Sequence, residues 1–212
     1  MPHYTPPDDN GIQLIYSDES LLVVDKPAGL LSVPGRGADK QDCLSARVQK
    51  FFPDALIVHR LDMATSGLLV FARSAEIQRR LSEMFRERLV AKRYVATVSG
   101  EMAPEYGEIN LPIIADWPNR PLRKIDAELG KPSLTRYRVL AQNTDTTRVA
   151  LEPVTGRTHQ LRVHLMAIGH PIIGDALYGG KPAERLMLHA CRLDFLHPDR
   201  DSPMRFVCEP PF

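Results

Sequence analysis

The chain has 212 residues, 43% hydrophobic and 25% charged, the proportions of a soluble globular protein. With 27 Lys and Arg against 26 Asp and Glu the net charge is only +1, so a polyanionic partner has to be met by a local patch and not by an overall basic field. Three scattered cysteines exclude a disulfide framework or a C-x-x-C zinc or redox site, and no apolar run approaches the roughly 18 residues of a membrane span.

In chain order, the Pro-rich residues 1–10 read as a flexible N-terminal tail. The opening MPHYTPPDDNG lacks a basic segment followed by an apolar one, so it is not a signal peptide, and a cytoplasmic location with reduced thiols is expected. Residues 11–16 and 20–25 are β-branched and aliphatic, which predicts strands. KPAGLLSVPGRG, residues 26–37, is a Gly- and Pro-rich loop. Leu44, Val48 and Phe51 recur at helical spacing and predict a helix over 42–52. Short strands are expected at 56–61 and 68–72, joined by the polar DMATSG. Ser74 is a good cap for a helix whose apolar stripe is Ile77, Leu81, Met84 and Phe85. Further strands are expected at 94–98, at 133–141 and 148–154 as neighbours, and at 186–195 and 204–208. Between them, Thr158 is the expected N-cap of a helix carrying Leu161, Leu165 and Ile168 on one side and ended by Gly169. Strands outnumber helices and do not alternate with them. That predicts an α+β fold: one domain over 11–212, with a mixed, largely antiparallel sheet flanked by helices and loops.

Basic residues cluster in three places. Residues 157–170 hold Arg157, Arg162 and three histidines with no acid, and Arg120, Arg123, Lys124, Lys131, Arg136 and Arg138 form a second group. Both are expected to bind. The third group, between Arg73 and Arg93, reads as a solvated helix face with i,i+4 pairs.

Two segments concentrate polar chemistry. VHRLDMATSG, residues 58–67, delivers His59, Arg60 and Asp62 from an apolar strand into a turn, and VTGRTHQLRVH, residues 154–164, places a similar density of donors on a turn and helix. For Asp62 alone the plain reading is an Asx-turn, with Arg60 a surface charge. Other constellations do not fit known chemistry. His159 and His164 are five apart, about 140° around a helix, where zinc ligands sit at i,i+4. No P-loop, dinucleotide fingerprint, hydrolase G-x-S-x-G or deaminase H-x-E…P-C-x-x-C pattern is present. Trp117 offers either a face for a stacked base or core filling.

Together the two segments resemble the signature motifs of the RluA family of pseudouridine synthases. KPAGLLSV, AKRYV, DWPNRP, GKP, GHPIIG and LHA resemble further family stretches in order, from about residue 20 to about residue 190. DWPNRP looks most like the dual-specificity members, which act on stem-loops of 23S ribosomal RNA and on tRNA anticodon arms. The resemblance implies an isomerase that needs no cofactor or metal, with an active-site cleft across the sheet, acting as a monomer on RNA. It makes Asp62 the essential carboxylate and Arg162 the arginine that pairs with it. Tyr94 becomes the active-site tyrosine and Arg60 the side chain that fills the space of a flipped base. Asn119, Arg120 and Lys124 are expected at the RNA backbone. The rival readings are an RNA base glycosylase, which would release free uracil, a non-catalytic RNA-binding protein, and a hydrolase with paired carboxylates. No second acid near Asp62 supports the last of these.

Overall fold

The computed structural model describes residues 4–212. The strands are β1 Gln13–Ser17, β2 Leu21–Lys26, β3 Leu56–Ile57, β4 Ser66–Ala72, β5 Ala91–Ser99, β6 Tyr106–Asn110, β7 Ile113–Ala115, β8 Arg123–Ile125, β9 Leu134–Gln142, β10 Thr146–Pro153, β11 Leu188–Leu196 and β12 Pro203–Val207. The helices are α1 Leu44–Gln49, α2 Ala75–Arg86 and α3 Gln160–Ala167. The expected α+β class with a largely antiparallel sheet is what forms. The chain divides into two compact units, one running up to Ala91 and including Ala190–Pro211, the other Lys92–His189 with Phe212. Among the described residues no helix is long and apolar enough to cross a membrane.

In the first unit the strand order is β1-β2-β4-β11, with β12 on β11 and β3 on β4. β1–β2, β2–β4, β3–β4 and β11–β12 are all antiparallel. β4 is buried along its whole length, as an uninterrupted apolar strand must be when both its faces are covered. One face of this sheet carries the cluster Leu21, Val23, Leu68, Val70, Leu193, Phe195 and Phe206, against which α2 lays Ile77 and Leu81. Met84 and Phe85 continue that stripe, and the Ser74 hydroxyl caps the helix by accepting from Ile77 N. The exposed face of α2 carries Arg80–Glu76 and Arg86–Glu83 pairs, so the third basic group is the solvated helix face expected.

One expectation in this unit changes. Pairing at 56–61 stops after Ile57, because the Leu61 amide and carbonyl are taken by the Ser32 hydroxyl and not by a strand. Of the segment expected as a tail, residues 1–3 lie outside the described chain, and residues 4–10 make several hydrogen bonds to the rest of the first unit. Tyr4 is buried, its hydroxyl donating to Asp42 O and accepting from Leu31 N. Buried Arg47 donates to the carbonyls of Pro7 and Asp8 while its Nε and Nη2 grip the Asp42 carboxylate. A guanidinium with several donors can hold a Pro-rich segment that offers mainly carbonyls.

In the second unit the order is β5-β10-β9-β6, all antiparallel, so the two strands expected to be neighbours are β9 and β10. β7 and β8 form a separate antiparallel ribbon. β6, β7 and β8 are only 5, 3 and 3 residues long, too short for an alternating pattern to mark them in the sequence. α3 starts at Gln160, and the residue before it is His159 in the left-handed region at φ 58° with no side-chain cap. Thr158 is therefore not the cap. Gln160 does comparable work: its Oε1 accepts from Arg157 N and the Thr155 hydroxyl, and its Nε2 donates to Leu134 O and Thr135 Oγ1.

Candidate active site

Asp62 sits half-buried in the connection between β3 and β4, between buried Leu61 and exposed Met63. The turn is closed through its backbone, with Thr65 N donating to Asp62 O at 3.1 Å. Both neighbours of Asp62 are pinned. On one side the Ser32 hydroxyl donates to Leu61 O at 2.7 Å and accepts from Leu61 N at 3.1 Å. On the other, Met63 O accepts from Lys26 Nζ at 3.0 Å and from Gly29 N at 2.9 Å. Lys26 is fully buried and also donates to Pro27 O and Leu30 O, at 2.8 and 2.7 Å. One ammonium thus ties the loop after β2 to the loop carrying Asp62. Leaving these carbonyls unmatched in the interior is costly, so the arrangement resists fraying.

The flanks are held as well. His59 accepts from Val70 N through Nε2 at 3.0 Å and stacks on Phe85 at 4.3 Å between centroids. Thr65 and Ser66 are buried. Gly67 has φ 116°, and a Cβ there would lie 2.4 Å from Ala190 O, a backbone atom that cannot step aside. Arg60 is exposed beside this rigid frame. The backbone that carries Asp62 is thus fixed on both sides of it.

The second unit holds the other expected residues. Tyr94 is half-buried on β5 opposite Leu151 of β10, while its neighbour Arg93 points to solvent and pairs with Glu152 at 2.6 Å. Arg162, on α3, is buried and donates from Nε and Nη2 to the two oxygens of Asp175, at 2.8 and 2.7 Å. Its guanidinium lies 5.1 Å from the Tyr178 ring. The Tyr178 hydroxyl meets His159 Nδ1 at 2.7 Å and accepts from Arg123 N at 2.9 Å. His164 is enclosed too, its Nδ1 on the Thr135 hydroxyl and its Nε2 on Leu111 O, and burial pushes its pKa down.

Asn119, Arg120 and Lys124 are brought together on the ribbon of β7 and β8. Asn119 closes its turn on Asp116, with Nδ2 to Oδ2 at 3.0 Å. The Arg120 guanidinium stacks 3.3 Å from the centroid of Trp117, which is 66% exposed. Trp117 is therefore not core filling. Lys124 is exposed, 3.9 Å from Asp126. The ribbon thus presents an exposed aromatic plane with cations beside it, a combination suited to bases and phosphates.

Four residues that shape the site were not singled out from the sequence: Lys26, Ser32, Asp175 and Tyr178. Lys26 and Ser32 fall within KPAGLLSV, but nothing in the order of residues marks that lysine as buried or names its acceptors. Asp175 and Tyr178 lie in a GDALYGG turn whose glycines signal a loop and no more.

The family model described as RNA pseudouridylate synthase matches residues 20–167. The chain is 50% identical over 204 residues to the dual-specificity RNA pseudouridine synthase RluA of Yersinia pestis, covering 94% of this chain and 99% of the relative. It is 47% identical over 211 residues to the RluA enzyme of Escherichia coli K12, covering 97% and 96%. Among solved structures, human RNA pseudouridylate synthase domain containing 1 superposes with a TM-score of 0.81 at 30% identity, covering 98% of this chain and 87% of that one.

Proposed function

Because the chain belongs to the RNA pseudouridylate synthase family and is an RNA-modifying isomerase, we propose that it converts uridines in stem-loops of 23S ribosomal RNA and of tRNA anticodon arms, with Asp62 as the essential carboxylate. The observation that carries the assignment of Asp62 is its bracing: Lys26 and Ser32 lock the residues on either side of it. The dual-specificity name of the bacterial relatives supports two classes of RNA target.

The reaction breaks the N1–C1′ bond, turns the uracil and joins C5 to C1′. The proton lost from C5 is matched by one gained at N1, so no atoms or electrons are exchanged with a cofactor. Asp62 acts at the target nucleotide, and Arg162 serves as the catalytic arginine of the reaction. Tyr94 stacks on the uracil and assists proton removal at C5. A stacked base cannot be reached, so the target nucleotide is everted at a cost of about a few kcal/mol. Arg60, exposed beside Asp62, fills the space it leaves. Asn119, Arg120 and Lys124 hold the RNA backbone, and residues 11–212 work as one catalytic domain, as a monomer, in the cytoplasm.

The test is to map pseudouridines by carbodiimide-dependent reverse-transcriptase stops in cells with the protein, without it, and with Asp62→Asn. Stops in 23S ribosomal RNA and in tRNA anticodon arms are expected to vanish together in the last two. Normal stops with a folded Asp62→Asn protein would end the catalytic assignment. Stops confined to one RNA class would end the dual-target assignment.

A further inference from the structure

The signature arginine does not stand alone in its unit. Arg162 and Asp175 form a two-point fork, Nε to Oδ2 at 2.8 Å and Nη2 to Oδ1 at 2.7 Å, with side chains only 5% and 0% exposed. A buried ion pair is often no more stabilising than apolar residues of the same volume, so stability is a weak reason for it to be there. Its geometric effect is strong. A guanidinium is a rigid plane, and tying down one edge at two points sets the direction of the rest.

The carboxylate that does the tying is itself immobilised. Asp175 Oδ1 accepts from Leu177 N at 3.0 Å and Tyr178 N at 3.2 Å, and Asp175 O accepts from Gly180 N at 3.0 Å. A Cβ on Gly180 would lie 1.9 Å from Ile172 O, so this turn closes only with glycine there. The Tyr178 ring flanks Arg162, and its hydroxyl links His159, at the start of α3, to the Arg123 amide of β8. The turn therefore fixes the arginine, the start of the helix that bears it, and the ribbon bearing Arg120 and Lys124.

We propose that Asp175 and Tyr178 are positioning residues for Arg162, holding its guanidinium in the one orientation in which it serves the reaction. The inference rests on the reading that Arg162 supports catalysis at Asp62. Neither residue touches the reacting atoms. Their loss should therefore appear in turnover and not in RNA affinity, and should be absent once Arg162 can no longer form the fork.

The experiment measures kcat, KM, RNA Kd and unfolding midpoint for the full chain on an RNA stem-loop containing a target uridine. Misplacing an attached group by about 1 Å costs roughly 100-fold. Asp175→Asn is accordingly expected to lower kcat about 100-fold and Tyr178→Phe about 10-fold, with Kd within about 2-fold of the parent. Arg162→Lys combined with Asp175→Asn is expected to be no slower than Arg162→Lys alone, since residues acting through one another are not additive. A folded Asp175→Asn within about 3-fold of the parent, or losses that multiply in the double variant, would overturn the proposal. If Asp175→Asn does not fold, Tyr178→Phe decides, and an unchanged kcat there refutes it. Asp62→Asn measured alongside separates the two claims. If it is fully active, the underlying reading fails. If it is inactive while the Asp175 and Arg162 losses multiply, only the positioning role fails.

Discussion

Lys26 shows how much one side chain does for a site it does not belong to by chemistry. It is fully buried, and three backbone carbonyls, of Pro27, Leu30 and Met63, surround its ammonium. Methionine has a similar length and volume but no donor, so Lys26→Met takes the ammonium from the Pro27 and Leu30 carbonyls, while Met63 O keeps only its bond from Gly29 N. The expected loss is about 2–4 kcal/mol of unfolding free energy, from roughly 1–3 kcal/mol for each of the two carbonyls that lose the donor, with partial relaxation. Turnover should fall at the same time, because Met63 follows Asp62 directly. Urea unfolding and single-turnover rates check both parts. A loss under about 0.5 kcal/mol would mean that water replaces the ammonium and that the bracing argument is wrong.

At the scale of an element, β4 owes its place to Gly67. Two effects forbid a side chain there: φ is 116°, and an added Cβ would lie 2.4 Å from Ala190 O and 2.5 Å from Ala190 N on β11. Gly169, after α3, has the first effect only, with φ 87° and nothing within 4 Å. Comparing the two separates backbone strain from steric closure. Gly169→Ala is expected to cost about 1 kcal/mol, the left-handed penalty alone. Gly67→Ala is expected to cost more than about 3 kcal/mol, because the colliding atoms are backbone and the strand has to shift. Equal losses in denaturant unfolding would show that β4 can move away from β11. The same reasoning explains α3: its expected one-sided stripe is replaced by burial of every residue from Gln160 to Leu165, with Gln160, Arg162 and His164 each hydrogen-bonded inside.

Over the whole molecule, titration follows from the same buried contacts. Burial pushes the His164 pKa below its ordinary value of 6.5. The unfolded chain thus binds a proton there before the folded one does, and stability falls as pH drops below about 6.5. Asp18 accepts from Ser20 N, Leu21 N, the Tyr16 hydroxyl and His197 Nε2. Although burial opposes them, these bonds bring its pKa down from 3.8 to about 2. Its contribution is complete above 3.8 and is lost as pH falls towards 2. Asp42 and Asp194, paired with arginines, are shifted in the same direction. Denaturant midpoints from pH 8 to pH 3 should therefore decline in two stages. His164→Gln should flatten the first stage and leave the second, and an unchanged first stage in that variant would refute the assignment to His164.

The order of residues alone determined the strands built from continuous apolar runs, the capped amphipathic helix α2, the adjacency of β9 and β10, and the motifs around Asp62 and Arg162. These are local signals: periodicity, a capping hydroxyl, a dense polar turn. Only the tertiary structure decided that Lys26 is buried under the Asp62 loop, that Arg47 captures residues 7 and 8, and that Trp117 lies exposed against Arg120. It also decided that Arg162 is gripped by Asp175. The physical reason is common to all four. A long cationic side chain has no periodic signature, and whether it reaches solvent, a carbonyl, an aromatic face or a carboxylate depends on distant backbone that local sequence cannot place.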